Sequence, residues 1–438
     1  MPDHDHETIA PRLMDAVSAG CEESRLFLSR RALMGMSAGL FSWACVPRHA
    51  EAFDGDRRLL IVLMRGGLDG LHVAYQNLER ERLRSYRGAM YDAHSPTADY
   101  LTVGYRNLGT TGFRINGQLS NFLNLYNSGE AALLHSIAPP LRSRSHFDCM
   151  DNVENGQAGL GNPTKDGWLN RFLAGLQDNE PSSRGLATSG APLILKGEAQ
   201  VESWTASFLA SLGDRFDENL AATYSASSDP LFNTIGSHLI SGMQTNRLAD
   251  MTASTQAVPE SPLTRSFRGT ARLMKAPTGP RVAVLSVDGL DTHEGQMMVL
   301  DSKLKEFDNA LESFRTELGP QAWARTVVVC VTEFGRTLQI NARGTDHGTG
   351  TVALLAGGNV NGGRVIADWP GISKLNEDRD LRATFDLRGL FKGVLRDHLG
   401  LWKHDNFMNS TVFPESAHIA PMNGLIRVPA LNRLRLKV

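Results

Sequence analysis

Five short segments hold most of the groups suited to chemistry. Asp69 lies in Arg65-Gly66-Gly67-Leu68-Asp69-Gly70, and Ser145 and His146 lie in Ser143-Arg144-Ser145-His146-Phe147-Asp148. Asp291 and His293 close Asp288-Gly289-Leu290-Asp291-Thr292-His293, Glu333 and Arg336 fall in Thr332-Glu333-Phe334-Gly335-Arg336, and Asp346 and His347 fall in Gly344-Thr345-Asp346-His347-Gly348. Gathered together, carboxylates and imidazoles form a ligand set for a divalent ion such as zinc, manganese or iron, and two such ions can flank a transferring phosphoryl or similar group. Asp69, His146, Asp291, His293, Glu333, Asp346 and His347 are therefore candidate metal ligands. Ser145 is the candidate nucleophile, because helix amides at a strand-to-helix junction and a nearby metal both favour an ionised hydroxyl. Arg144 and Arg336, with Arg142, are candidates for bidentate hydrogen bonds to an anionic group.

Each residue also has a plainer reading. Asp69 can cap a helix, Asp291 and His293 can close a turn, Glu333 and Arg336 can be a buried ion pair, and Ser145 can be a simple N-cap. The chemical reading gains its force from position. Apolar runs at 59–64, 131–137, 282–287 and 326–331 read as buried strands, and four of the segments lie just past them. The fifth precedes another run at 352–356, and a further short run at 192–195 also reads as a strand. Ligands in open α/β sheets gather at the carboxyl ends of strands, so segments distant in sequence are expected on one sheet edge.

One helix is clear between two of these strands. Met297, Leu300, Leu304, Phe307, Leu311, Phe314 and Leu318 recur in steps of three and four, an apolar stripe for core packing. With the flanking strands it makes a strand-helix-strand unit with a right-handed crossover. Residues 202–275 are polar, punctuated by Ser, Thr and Asn, and read as a helical insertion.

The N-terminal 52 residues read as an export signal. Ser29-Arg30-Arg31-Ala32-Leu33-Met34 precedes a small-residue apolar run from Gly35 to Val46 and then Ala50-Glu51-Ala52, the order of a twin-arginine signal. The expected partner is the twin-arginine translocon, and the expected location is the periplasm or beyond. Cys45 raises lipid attachment as an option, against which stands the bulk of Trp43 two residues before it. No later segment reaches membrane-spanning length, so no stable membrane insertion is expected.

Composition narrows the classes further. The 438 residues are 41% hydrophobic and 21% charged, enough for a large core, and a formal charge of -2 provides no basic field for nucleic acid. Four cysteines are too few for a disulfide-built scaffold, although Cys149 and Cys330 leave room for one bridge. No G-x-S-x-G elbow, H-E-x-x-H helix or G-x-x-x-x-G-K-[ST] loop is present, and Gly66-Gly67-Leu68-Asp69-Gly70 does not spell a dinucleotide fingerprint.

Taken with Asp166-Gly167-Trp168-Leu169-Asn170-Arg171, these motifs resemble, over nearly the whole chain, the large bacterial family catalogued as domain of unknown function 1501. Its members look like twin-arginine-exported relatives of the alkaline phosphatase and sulfatase superfamily. The resemblance implies an alkaline phosphatase-like α/β fold, with a largely parallel sheet flanked by helices. It also implies a two-metal site in which Asp69 and Ser145 meet Asp291, His293, Asp346 and His347. This sequence departs from the superfamily pattern by placing Thr332-Glu333-Phe334 where an Asp-His pair normally follows the strand. The expected function is a metal-dependent hydrolase of phosphate or sulfate esters, acting on an anionic small molecule or polymer. The alternative is a secreted, non-catalytic protein of the same fold that binds an anionic ligand or an envelope partner.

Overall fold

The computed structural model describes residues 56–159, 165–176, 185–188, 190, 192–206, isolated positions between 219 and 249, and then 260–341, 343–400 and 405–427. The expected signal segment, with Cys21 and Cys45, lies outside the described residues.

The first strand, β1 (Arg58–Met64), is buried at every position. Successive side chains of a strand point to opposite faces, so Leu60, Val62 and Met64 enter one core while Leu59, Ile61 and Leu63 enter another. A strand apolar on both faces needs helices on both faces, and here it has them. After β1 come a short helix α1 (Gly70–Val73), β2 (Ala74–Gln76), the helix α2 (Arg80–His94), β3 (Tyr105–Asn107) and β4 (Phe113–Asn116). β2, β4 and β3 pair as a small antiparallel sheet. Helix α3 (Ser120–Asn127) leads to β5 (Ala131–Ala138), and α4 (His146–Asn155) follows it. Next are β6 (Gly185–Thr188), β7 (Val201–Trp204), α5 (Pro262–Lys275), β8 (Val282–Val287), α6 (Gln296–Trp323) and β9 (Thr326–Val331). The hairpin β10 (Arg336–Asn341) and β11 (Gly344–His347) precedes β12 (Thr351–Ala356), β13 (Arg364–Ile366), β14 (Phe385–Asp386) and α7 (Leu387–Leu399).

Among the described residues the main sheet runs β13-β5-β12-β9-β1-β8-β6-β7, with β14 also pairing β5. β1 lies between β8 and β9 and is parallel to both, and β6, β7, β13 and β14 pair in parallel as well. Only β12 runs against its neighbours β5 and β9. The sheet is thus largely parallel and flanked by helices. The reversal of β12 has a consequence for the site. Its first residue lies at the edge where β1, β5, β8 and β9 end, so the segment before β12 meets the segments after the other four.

The expected helix is present as α6, and all seven residues of its apolar stripe are buried. It breaks at Gly319, whose φ of 75° interrupts the helical backbone just before Pro320. The expected strand at 192–195 is instead a single 3-10 turn at Leu193–Leu195, between β6 and β7. Its backbone is satisfied from other elements: Ile194 N–H donates to Glu154, and Lys196 C=O accepts from Gly167 N–H. The helical insertion expected at 202–275 begins as strand, since residues 202–204 belong to β7. It ends in α5, capped by Ser261 with Pro262 in the first turn, and most positions from 207 to 259 lie outside the described residues. Cys149 and Cys330 are both buried free thiols, so the bridge left open between them is not formed. No helix among the described residues is long and apolar enough to cross a membrane.

Candidate metal centre

At the shared strand edge, three imidazoles and one carboxylate converge. His146 opens α4 after β5, Asp291 and His293 follow β8, and His347 ends β11 before β12. His347 Nε2 lies 3.1 Å from His146 Nε2 and 3.1 Å from His293 Nε2. Asp291 Oδ1 is 2.9 Å from His293 Nε2 and 3.3 Å from His347 Nε2, while its Oδ2 is 3.3 Å from His146 Nε2. His146 Nε2, an Asp291 oxygen and His347 Nε2 all lie within 4.8 Å of one another, near enough to share one ion, and His293 Nε2 stands beside them against Asp291 and His347.

Hydrogen bonds on the far sides of the rings decide which nitrogens face inward. His347 Nδ1 is 2.8 Å from the main-chain oxygen of Arg144, which only accepts, so Nδ1 carries the proton. His146 Nδ1 is 2.8 Å from Glu333 Oε1, which leaves its Nε2 for the centre. Two nitrogens 3.1 Å apart attract only with a proton or a cation between them, and with their outer nitrogens engaged elsewhere the inward Nε2 atoms of His146 and His347 suit a divalent ion.

The charges around the centre agree. Burial pushes the Asp291 carboxyl up, but hydrogen bonding and charge from Arg336, at 2.6 Å, outweigh it and hold the group at about 2. The hydrogen bond that His146 donates to Glu333 raises the His146 pKa, and burial lowers that of His347 despite the Arg144 carbonyl. Phe334 lies against both rings, with centroids 4.8 Å from His146 and 4.9 Å from His347, forming an apolar wall. Gly66, with φ of 118°, allows the loop after β1 to approach the Asp291 backbone; a Cβ there would lie 2.4 Å from Asp291 N.

The remaining candidates take other places. Asp69 caps α1 by accepting from Leu71 and His72 N–H, and its carboxylate is bound by Arg87 at 2.7 Å and by Gln296 Nε2 at 2.5 Å. It is an interior anchor held by a buried arginine, not part of the imidazole cluster. Glu333 supports His146 from behind, and its oxygens also accept from Gly66 N–H and Thr332 Oγ1. Arg336 is fully buried and donates to the main-chain oxygens of Gly66, Gly67, Leu290 and Thr345 besides Asp291. Its guanidinium binds the protein itself, in place of the anion expected of it. Arg144 pairs with Glu377 at 2.6 Å and Asp380 at 3.3 Å. Ser145 caps α4, with Oγ 3.4 Å from Asp148 N. Asp346 lies at the outer rim, 3.3 Å from His293 Nδ1. Sequence reasoning missed Phe334, Arg379 and Asp380, whose part in the site comes from packing rather than from any motif.

Fold and centre together define an α/β protein with an imidazole-carboxylate centre at one sheet edge. The chain belongs to the family described as protein of unknown function (DUF1501), whose model matches residues 137–411. Among curated proteins none matches the sequence. Solved structures similar to it include an alkaline phosphatase superfamily protein from Vibrio parahaemolyticus, at 12% identity and a TM-score of 0.32, covering 69% of this chain and 60% of that one. The alkaline phosphatase of the Antarctic bacterium TAB5 is similar at 10% identity and a TM-score of 0.32, over 71% and 95% of the two chains. The C-terminal periplasmic domain of EcEptC from Escherichia coli, in complex with zinc, is similar at 10% identity and a TM-score of 0.30, over 72% and 77%.

Proposed function

We propose that the protein is an exported metal-dependent hydrolase of phosphate or sulfate esters, with one divalent ion, zinc, manganese or iron, held by His146, Asp291, His293 and His347. The observation behind this reading is the convergence of bare imidazole nitrogens on one carboxylate, with the outer nitrogens of His146 and His347 fixed by Glu333 and the Arg144 carbonyl. A bound ion supplies Lewis-acid charge to an ester oxygen and lowers the pKa of an adjacent hydroxyl or water. Ser145, next to His146 at the start of α4, is the nucleophile in this reading: its oxygen would bond to the phosphorus or sulfur as the ester's alcohol leaves, and water would then cleave the seryl ester, releasing phosphate or sulfate and restoring the hydroxyl. Arg336 keeps Asp291 ionised and in place. Export through the twin-arginine translocon accords with a fold that acquires its metal before leaving the cytoplasm.

The test is metal content together with turnover of an aryl phosphate and an aryl sulfate. Turnover that needs metal, and that is lost in both His347→Ala and Ser145→Ala, is the expected result. Bound metal without turnover of either ester supports a second reading, a non-catalytic metal-holding protein. That reading is favoured by Ser145 Oγ accepting from Asp148 and by the engagement of Arg144 and Arg336 with protein groups.

A further inference from the structure

We propose that Asp380 is a positioning residue of this centre: a buried carboxylate that acts through Arg144 and Arg379 to hold His347 by both its ring and its main chain. The inference rests on the metal reading above and concerns a residue outside the ligand set. The Asp380 side chain is fully buried, and its Oδ1 lies 3.3 Å from Arg144 Nη2 and 3.4 Å from Arg379 Nε. Both arginines continue to the same ligand. The Arg144 main-chain oxygen accepts from His347 Nδ1 at 2.8 Å, and Arg379 Nη2 donates to the His347 main-chain oxygen at 2.5 Å.

The local backbone is built around this contact. The turn that delivers Arg379 and Asp380 has two consecutive non-glycine residues in the left-handed region, Glu377 at φ 51° and Asp378 at φ 52°. Such residues persist only where the surroundings hold them, and they cluster at functional sites. Asn376 and Asp380 close the turn with main-chain hydrogen bonds of 2.8 and 3.2 Å. Gly348, directly after His347, allows the approach, since a Cβ there would lie 2.9 Å from Asp380 Cβ.

Arginine-carboxylate pairs frequently close as a two-pronged fork with one arginine. Asp380 does not: among the described residues its Oδ2 and Arg144 Nε are both without hydrogen-bond partners. It divides one oxygen between two arginines whose common point is His347. Removing its charge leaves Arg144 to follow the more exposed Glu377, and the carbonyl that fixes the His347 ring loses its anchor.

The test compares wild type with Asp380→Asn, using nitrogen-15 NMR of the imidazoles in the metal-free protein and zinc affinity by chelator competition. Wild type is expected to show His347 with its proton on Nδ1, and Asp380→Asn a mixture of tautomers. Zinc affinity is expected to fall about 10–100-fold at unchanged stoichiometry, the size of effect seen when groups that orient a ligand are lost. Arg379→Gln removes one of the two guanidinium partners while keeping the carboxylate itself and is expected to weaken zinc binding in the same direction, which covers the case in which Asp380→Asn fails to fold. An unchanged tautomer in a folded Asp380→Asn overturns the proposal, as does zinc affinity that falls only in step with the melting temperature of the metal-free protein. If wild type binds no zinc, the metal reading fails, and the tautomer comparison still decides the positioning role.

Discussion

At the scale of residues, the centre is a division of labour between atoms that face inward and atoms that fix them from behind. His146, Asp291, His293 and His347 were legible because His and Asp stood beside apolar runs that read as strands. The partners of those runs were not legible, so Glu333 and Asp69 looked like equivalent ligands. Folding gives Glu333 to His146 Nδ1 and gives Asp69 to Arg87, a residue on α2 that no spacing rule links to it. Asp291→Ala and His347→Ala are both expected to abolish stoichiometric metal binding; His347→Ala should shift the stability of the metal-free fold by less than about 1 kcal/mol, since His347 faces the open centre, whereas Asp291→Ala also lowers it by removing the carboxylate partner of the buried Arg336. Elemental analysis alongside a urea melt separates the two effects. Ser145→Ala is expected to retain the metal and lose ester turnover, with a stability cost of about 1 kcal/mol from the lost cap.

At the scale of elements, the site depends on loops brought into contact by β1 and by the reversed β12. The apolar runs announced the strands but not their directions, because a fully buried strand reads the same either way. The turn at 193–195 shows the matching ambiguity for short runs, where Pro192 and the contacts of Ile194 with Glu154 decided against a ladder. Two substitutions probe this level. Gly66→Ala forces a left-handed residue into contact with the Asp291 backbone, so it is expected to lower both stability and metal occupancy, measurable by thermal melts and metal titration. Arg87→Ala leaves the buried Asp69 carboxylate uncompensated. Burial alone raises the Asp69 pKa, and Arg87, foremost among the opposing charges, brings it below its ordinary value, so the expected loss is about 3–5 kcal/mol in chemical denaturation.

For the whole molecule, two interior histidines outside the metal centre contribute to the response to acid. Burial holds His135 at about 4 and His398 at about 3. Each ring is satisfied as the neutral form: His135 donates to the Ala74 carbonyl and accepts from Ser136 N–H, and His398 donates to the Arg58 carbonyl and accepts from Asn359. The unfolded chain protonates both near 6.5, so above that pH they leave stability independent of pH. Below it the unfolded state gains protons the folded state refuses, and stability falls as pH drops from 6.5 toward 4 and 3. The expected loss by pH 4.5 is on the order of 2–3 kcal/mol per histidine, and His398→Gln should flatten the pH slope by that one contribution in denaturant titrations. The general architecture was legible from the rhythm of strands and helices. These interior roles were not, because they depend on neighbours contributed by distant strands.

The central claim is that the three imidazoles and Asp291 hold a divalent ion, and elemental analysis tests it most directly. The protein should be folded, signal-cleaved and purified without chelators or metal-bearing affinity tags. About one equivalent of zinc, manganese or iron, lost in His347→Ala, is the predicted result. A metal-free wild-type protein that takes up none of these ions on titration would contradict the account.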